Sequence, residues 1–172
     1  MKRTSRTKHF EPPRWTRRSS LVGLAAVLAV VAARPAMAAD VQKAKCDLHA
    51  VHLTKQGDGS IPPELSFLER ELRDDQFAAY KGFRLLERKD VVIAAKTPTK
   101  AAFRTGHNLG LTLLGGDAKR LRIRAALSNR SGDRTLVQTT YAIDDGGVFL
   151  LGGPSYNGGK LLFAIRCRGQ RG

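Results

Sequence analysis

The sequence predicts a mainly β fold, an antiparallel β-sandwich or partly open barrel with one short amphipathic helix. Three observations lead there. Short apolar runs recur through the second half of the chain, and glycine-, asparagine- and aspartate-rich breaks separate them. One stretch, Arg120-Leu121-Arg122-Ile123-Arg124, alternates strictly between guanidinium and hydrocarbon. Successive strand residues point to opposite sheet faces, so this stretch reads as a strand with one outward face. Regular short strands with such punctuation belong to sandwiches and barrels.

Taken in order, Cys46 to Thr54 (CDLHAVHLT) reads as a first strand. Cys46, Leu48, Ala50 and His52 fall on one side and His49, Val51 and Leu53 on the other, so it is apolar on both faces. Gln56 to Ser60 is a turn. Pro62-Pro63 then opens a helix, because proline is tolerated in a first turn whose N–H groups lack partners anyway. Leu65, Leu68 and Leu72 recur at helical spacing within Glu64 to Arg73 and give that helix an apolar stripe. Phe77, Tyr80 and Phe83 follow as a hydrophobic plug between helix and sheet.

The remaining strands are expected at 83–86, 91–95, 101–104, 109–114, 121–127, 136–143, 148–151 and 161–167. Their breaks are Gly115 to Asp117, Asn129 to Asp133, Asp144 to Gly147 and Gly152 to Gly159. No repeat and no linker interrupts this run, so residues 39–172 are read as a single β-rich domain.

The start of the chain has a different character. Lys2, Arg3, Arg6, Lys8, Arg14, Arg17 and Arg18 stand against the lone acid Glu11, and the uncharged run Leu21 to Ala33 follows. That order is the basic and apolar arrangement of a signal peptide. The apolar run, closed by Arg34 and Pro35, is shorter than the roughly 20 residues needed to span a bilayer. Ala36-Met37-Ala38 presents small residues to a signal peptidase, which places cleavage between Ala38 and Ala39. Thr16-Arg17-Arg18-Ser19-Ser20-Leu21 resembles the twin-arginine export motif, with Ser20 where phenylalanine is usual. The export machinery is therefore the first expected partner, with the general export route as the alternative, and the destination is periplasmic or secreted. No transmembrane segment is expected in the mature chain.

The formal net charge of +15 rests on thirty basic and fifteen acidic residues. Residues 1–38 hold eight of those bases and one of those acids, so the rest carries twenty-two against fourteen, or +8. Half of the basicity leaves with the leader, which weakens any nucleic-acid reading. Cys46 and Cys167 are the two cysteines. In an exported chain they read as one disulfide joining the terminal strands, against the alternatives of free thiols or a metal pair. Closing so long a loop restricts the unfolded chain by about 4–5 kcal/mol on entropic grounds.

Catalytic motifs do not survive inspection. Gly153 to Lys160 (GPSYNGGK) has Pro154 where a phosphate-binding loop needs glycine and Leu161 where it needs a magnesium-holding hydroxyl, so it reads as a hairpin turn. Ser155 lacks the glycine framing of a nucleophile elbow. His49 and His52 project to opposite strand faces and cannot share a metal, and His107 lies in a turn. Asp144 and Asp145 precede Gly146-Gly147, where carboxylates bond turn N–H groups. No catalytic residue, metal ligand, cofactor-binding residue or cofactor is assigned. Arg120, Arg122 and Arg124 form the one candidate face, suited to an acidic polymer, an anionic lipid head group or a nucleic-acid backbone. The alternative is a solvated face whose arginines pair with neighbouring acids. Aromatic side chains do not interleave with the arginines as base stacking would require, so nucleic acid is not the expected partner.

Ala142 to Pro154 (AIDDGGVFLLGGP) resembles the strand-turn-strand signature of secretin outer-membrane channels, with Asp144 where that signature has proline. The larger arrangement is similar to small exported proteins of Gram-negative bacteria of unknown function. CDLHAVHLTKQGDG, the IPPEL helix start, Tyr80 to Phe83 and GGVFLLGGPSYNGGKLLFAIRC carry that likeness. It implies architecture alone. The functional expectation is an exported envelope binding or structural module that meets an envelope protein or an anionic polymer. The rival is a small secreted hydrolase with a site assembled from turns.

Overall fold

A computed structural model describes residues 40–170, and the expected export motif at Arg17 and Arg18 and the Ala38–Ala39 junction lie outside the described residues. In chain order come β1 (Lys43–Thr54), α1 (Glu69–Leu72), β2 (Gly82–Ala94), β3 (Thr99–Phe103), β4 (His107–Gly116), β5 (Arg120–Asn129), β6 (Thr135–Asp144), β7 (Val148–Tyr156) and β8 (Gly159–Gln170). They form two four-stranded antiparallel sheets, β2-β1-β8-β7 and β3-β4-β5-β6. The sheets do not close into a barrel, so of the two expected architectures the sandwich is the one adopted.

Alternation builds the core. Cys46, Leu48 and Ala50 of β1 and Phe163, Ile165 and Cys167 of β8 face Leu109, Leu111 and Leu113 of β4 and Leu121, Ile123 and Leu127 of β5. The other face of the first sheet is also partly covered. Val51, Leu53, Leu162 and Ala164 pack beneath Leu65, Leu68 and Leu72, with Phe67, Phe77, Tyr80 and Phe83 around them. This second layer explains why β1 is apolar on both sides.

The helix departs from a regular α-helix. Pro63–Leu68 is a 3₁₀ turn, and only Glu69–Leu72 is α-helical. In a 3₁₀ turn side chains three apart eclipse, so Leu65 and Leu68 share one face of the turn, and both are buried in the cluster against the sheet. Burying each of these leucines stabilises the fold by about 1.5–3 kcal/mol, far more than the helix geometry itself contributes.

Two strand boundaries also differ from expectation. The runs at 83–86 and 91–95 are one continuous strand, β2, because Glu87 to Asp90 sits on an edge strand where charge is welcome. Glu87 pairs with Lys89 at 3.0 Å and accepts a hydrogen bond from the Arg104 amide, while Arg88 meets Asp90 and Asp47. The break expected over Gly152 to Gly159 shrinks to Asn157-Gly158, both with positive φ, a tight two-residue hairpin turn. A register irregularity between Gly152 and Ser155 absorbs Gly153 and Pro154.

Cys46 and Cys167 stand opposite each other on β1 and β8 and form a disulfide with an S–S distance of 2.07 Å. The covalent bond joins the two central strands of the first sheet. No helix among the described residues is long and apolar enough to cross a membrane.

Candidate functional site

Arg120, Arg122 and Arg124 project from β5, an inner strand of the second sheet, and all three are exposed. Their cross-strand neighbours on that face are mostly small. Arg122 lies between Gly115 and Ala142, and Arg124 lies between Thr112 and Thr140. Arg120 meets Asp144 at 3.5 Å, but both side chains are more than 70% exposed, so the pair contributes little. Neither Arg122 nor Arg124 makes an ion pair among the described residues. The alternative of paired, solvated arginines therefore fits Arg120 and not the other two.

A second basic surface lies on the outer face of the first sheet, beside the helical cover. Here β1 presents Lys45, Asp47 and His49, opposed on β8 by Arg168, Arg166 and Ala164 and on β2 by Val92, Asp90 and Arg88. Lys45, Asp47, Arg88, Arg166, Arg168, Gly169 and Gln170 line an open groove of about 340 Å³. Asp47 is its internal brace. Arg166 donates to Asp47 Oδ2 through Nη2 at 3.0 Å and Nε at 3.4 Å, and Arg88 approaches Oδ1 at 3.6 Å. Burial alone would raise the Asp47 pKa, but hydrogen bonding to Arg166 and the charges of Arg166 and Arg88 outweigh it and hold the carboxyl below its usual range.

Phe67, carried by the 3₁₀ turn, closes the inner end of this face. The Arg166 guanidinium sits 5.0 Å from its ring centroid, and the His49 ring 4.6 Å away. The first contact is a cation–π arrangement that limits where Arg166 can go. His49 is only 3% exposed, and its Nδ1 has no protein partner among the described residues. Desolvation, followed by the Arg88 charge, lowers its pKa, with Asp47 and Asp90 pulling the other way. His49 is therefore a neutral, covered imidazole near neutral pH.

The remaining sequence candidates are placed as local structure. The ring of His52, facing the other side of β1 from His49, contacts the Tyr156 carbonyl through Nε2 at 2.9 Å. His107 Nδ1 lies 3.4 Å from Thr105 Oγ1, and the ring stands 6.5 Å from Phe163. Asp145 Oδ1 accepts from the Gly169 amide at 2.6 Å and so ties the β6–β7 turn to β8. Gly153 to Lys160 runs through the end of β7, the Asn157-Gly158 turn and the start of β8.

Sequence reasoning missed the groove, although a signal for it existed. Once Cys46 and Cys167 are paired across antiparallel strands, Lys45 must oppose Arg168 and Asp47 must oppose Arg166, on the sheet face away from the disulfide. The contributions of Arg88 and Phe67 were not readable in this way, because they depend on the β2 register and on how the 3₁₀ turn settles.

Comparison with protein-family models, curated proteins and solved structures returns no match.

Proposed function

We propose that this protein is an exported, noncatalytic module of the cell envelope that holds an anionic polymer on the β3–β6 sheet through Arg120, Arg122 and Arg124. The observation that carries this reading is the state of Arg122 and Arg124. Both are exposed and free of ion pairs among the described residues, and they stand on a floor of glycine, alanine and threonine. Small neighbours leave the guanidiniums accessible from above, and a row of cations along one strand matches repeating charge on an extended polymer. The disulfide is compatible with an oxidising compartment. Export through the Arg17-Arg18 motif and cleavage before Ala39 complete the proposal.

The rival hydrolase would need an accessible base beside a nucleophile. His49 shares a strand face with Asp47, but Phe67 covers it and Asp47 is engaged by Arg166. The groove beside them is lined by cations, a carboxylate, an amide and a glycine, none of which is an activated nucleophile. These features favour binding over turnover.

The test is retention of the purified protein on an anionic polysaccharide matrix over a salt gradient. The triple variant Arg120→Ser, Arg122→Ser, Arg124→Ser should elute at clearly lower salt than a control with Lys55, Lys81 and Arg84 changed to serine. Equal shifts would reduce the effect to net charge and remove the proposal.

A further inference from the structure

We infer that the groove on the β2-β1-β8-β7 sheet is a second, independent site that takes a phosphate monoester group. The inference rests on three features of that groove and does not depend on the arginine row of the opposite sheet.

The first is uncompensated charge in a concave place. The groove is lined by Lys45, Arg88, Arg166 and Arg168 against Asp47, with Asp90 beside Arg88 at 3.4 Å. Four cations and two carboxylates leave an excess of two positive charges. Asp145, the next acid nearby, accepts from the Gly169 amide but keeps its charge at the rim, so with it included the excess is one positive charge and without it two. A phosphate monoester carries about −1.5 to −2 at neutral pH and matches the larger excess, whereas a single carboxylate would neutralise only part of it.

The second is a like-charged rung. Lys45 and Arg168 are directly opposed on β1 and β8, and neither forms an ion pair among the described residues. Like charges directly opposite each other in a sheet are destabilising. The adjacent rung is the Cys46–Cys167 disulfide, which holds the strands together despite that repulsion. A bound dianion would convert the repulsion into two attractive contacts.

The third is preorganisation. Asp47 and the Phe67 ring fix the Arg166 guanidinium from two sides. Arg88 is tethered between Asp47 and Asp90. Planar guanidiniums held in place bind phosphate oxygens in a directed way and lose little side-chain freedom on doing so. The volume of about 340 Å³ accommodates the phosphate together with part of whatever carries it. That carrier is either a soluble ester or a lipid head group, and both present the same chemistry to the groove.

The experiment is titration of the disulfide-bonded protein by calorimetry, with inorganic phosphate and glycerol 3-phosphate in one arm. Phosphatidylcholine vesicles with and without phosphatidic acid form the other. Saturable binding in either arm is expected, and the arm that responds identifies the carrier. The double variant Lys45→Ser, Arg168→Ser should weaken that binding by about tenfold or more, equivalent to about 1.4 kcal/mol. The Arg122→Ser, Arg124→Ser variant should leave it within about twofold. Removing the like-charged rung should also leave the thermal midpoint unchanged or raise it, which separates lost binding from lost folding. The inference is overturned by no saturable binding in either arm, by equal losses in the two variants, or by acetate competing as well as phosphate.

Discussion

Lys45 and Arg168 face each other across β1 and β8 on the rung next to the Cys46–Cys167 disulfide. A repulsive pair and a covalent clasp are therefore neighbours in the same ladder. Replacing both cysteines by serine should cost about 4–5 kcal/mol of stability, from the loop of 121 residues that the bond closes. Because the clasp also restrains the like-charged rung, the variant should recover more stability than the parent when salt is raised. Urea denaturation at low and high sodium chloride measures both effects. A salt response identical to that of the parent would separate the disulfide from the charges.

Asp47 offers a second test, through acid. Its folded pKa lies below the unfolded value, so the stability it provides is complete above the usual carboxylate pKa of about 3.9 and is lost as pH falls through the lower folded value. Asp47→Asn should cost about 1–3 kcal/mol at pH 7, since it leaves the partly buried Arg166 without its charged partner. It should also flatten the loss of stability below pH 4. Asp58, Asp117 and Asp133, whose pKa values are lowered by hydrogen bonds within turns, should keep part of that acid sensitivity in the variant. An unchanged acid limb in the denaturation profile would contradict the role given to Asp47.

How much of this was legible in the chain follows from how local each feature is. The disulfide and the Arg120-to-Arg124 alternation are set by spacing and read directly from the sequence, whereas the glycine-rich break over Gly152 to Gly159 showed that a hairpin was there but not that its turn is only Asn157-Gly158. The length of β2 was hidden, because Glu87 to Asp90 looks like a break until the strand is known to be an edge. The groove was hidden for a related reason. Its residues come from β1, β2 and β8, far apart in the chain, and only the disulfide register connects Lys45 with Arg168. Phe67 could not be placed at all, since a regular α-helix and a 3₁₀ turn point it differently.

His49 yields a pH dependence of opposite origin. Its folded pKa is depressed, so between that value and the unfolded value of about 6.5 the unfolded chain binds a proton that the folded chain refuses. Stability should therefore fall as pH drops through about 6.5 and should be flat above it. Arg88 and Arg166 enlarge this window, Asp47 and Asp90 reduce it, and Phe67 excludes water above the ring. His49→Leu should gain stability relative to the parent at pH 5.5 by more than it does at pH 8, measured as chemical-denaturation midpoints. The same difference at both pH values would mean that the imidazole does not titrate in this range.

The end of the groove-bearing sheet depends on a close approach at Gly159. A Cβ there would press on the Leu53 carbonyl oxygen and lie 2.6 Å from His52 Nε2. Backbone cannot yield as a flexible side chain would, so Gly159→Ala should push the β7–β8 hairpin away from the end of β1. The displacement would stretch the 2.9 Å contact between His52 and the Tyr156 carbonyl, at a cost of about 1–3 kcal/mol. Gly152 is the matched control, because a Cβ there meets nothing within 4 Å. Gly152→Ala should be neutral or stabilising by up to about 1 kcal/mol, through the smaller entropy of the unfolded chain. Thermal denaturation of the two variants side by side decides the point, since equal midpoints would show that the hairpin accommodates the added methyl group without strain.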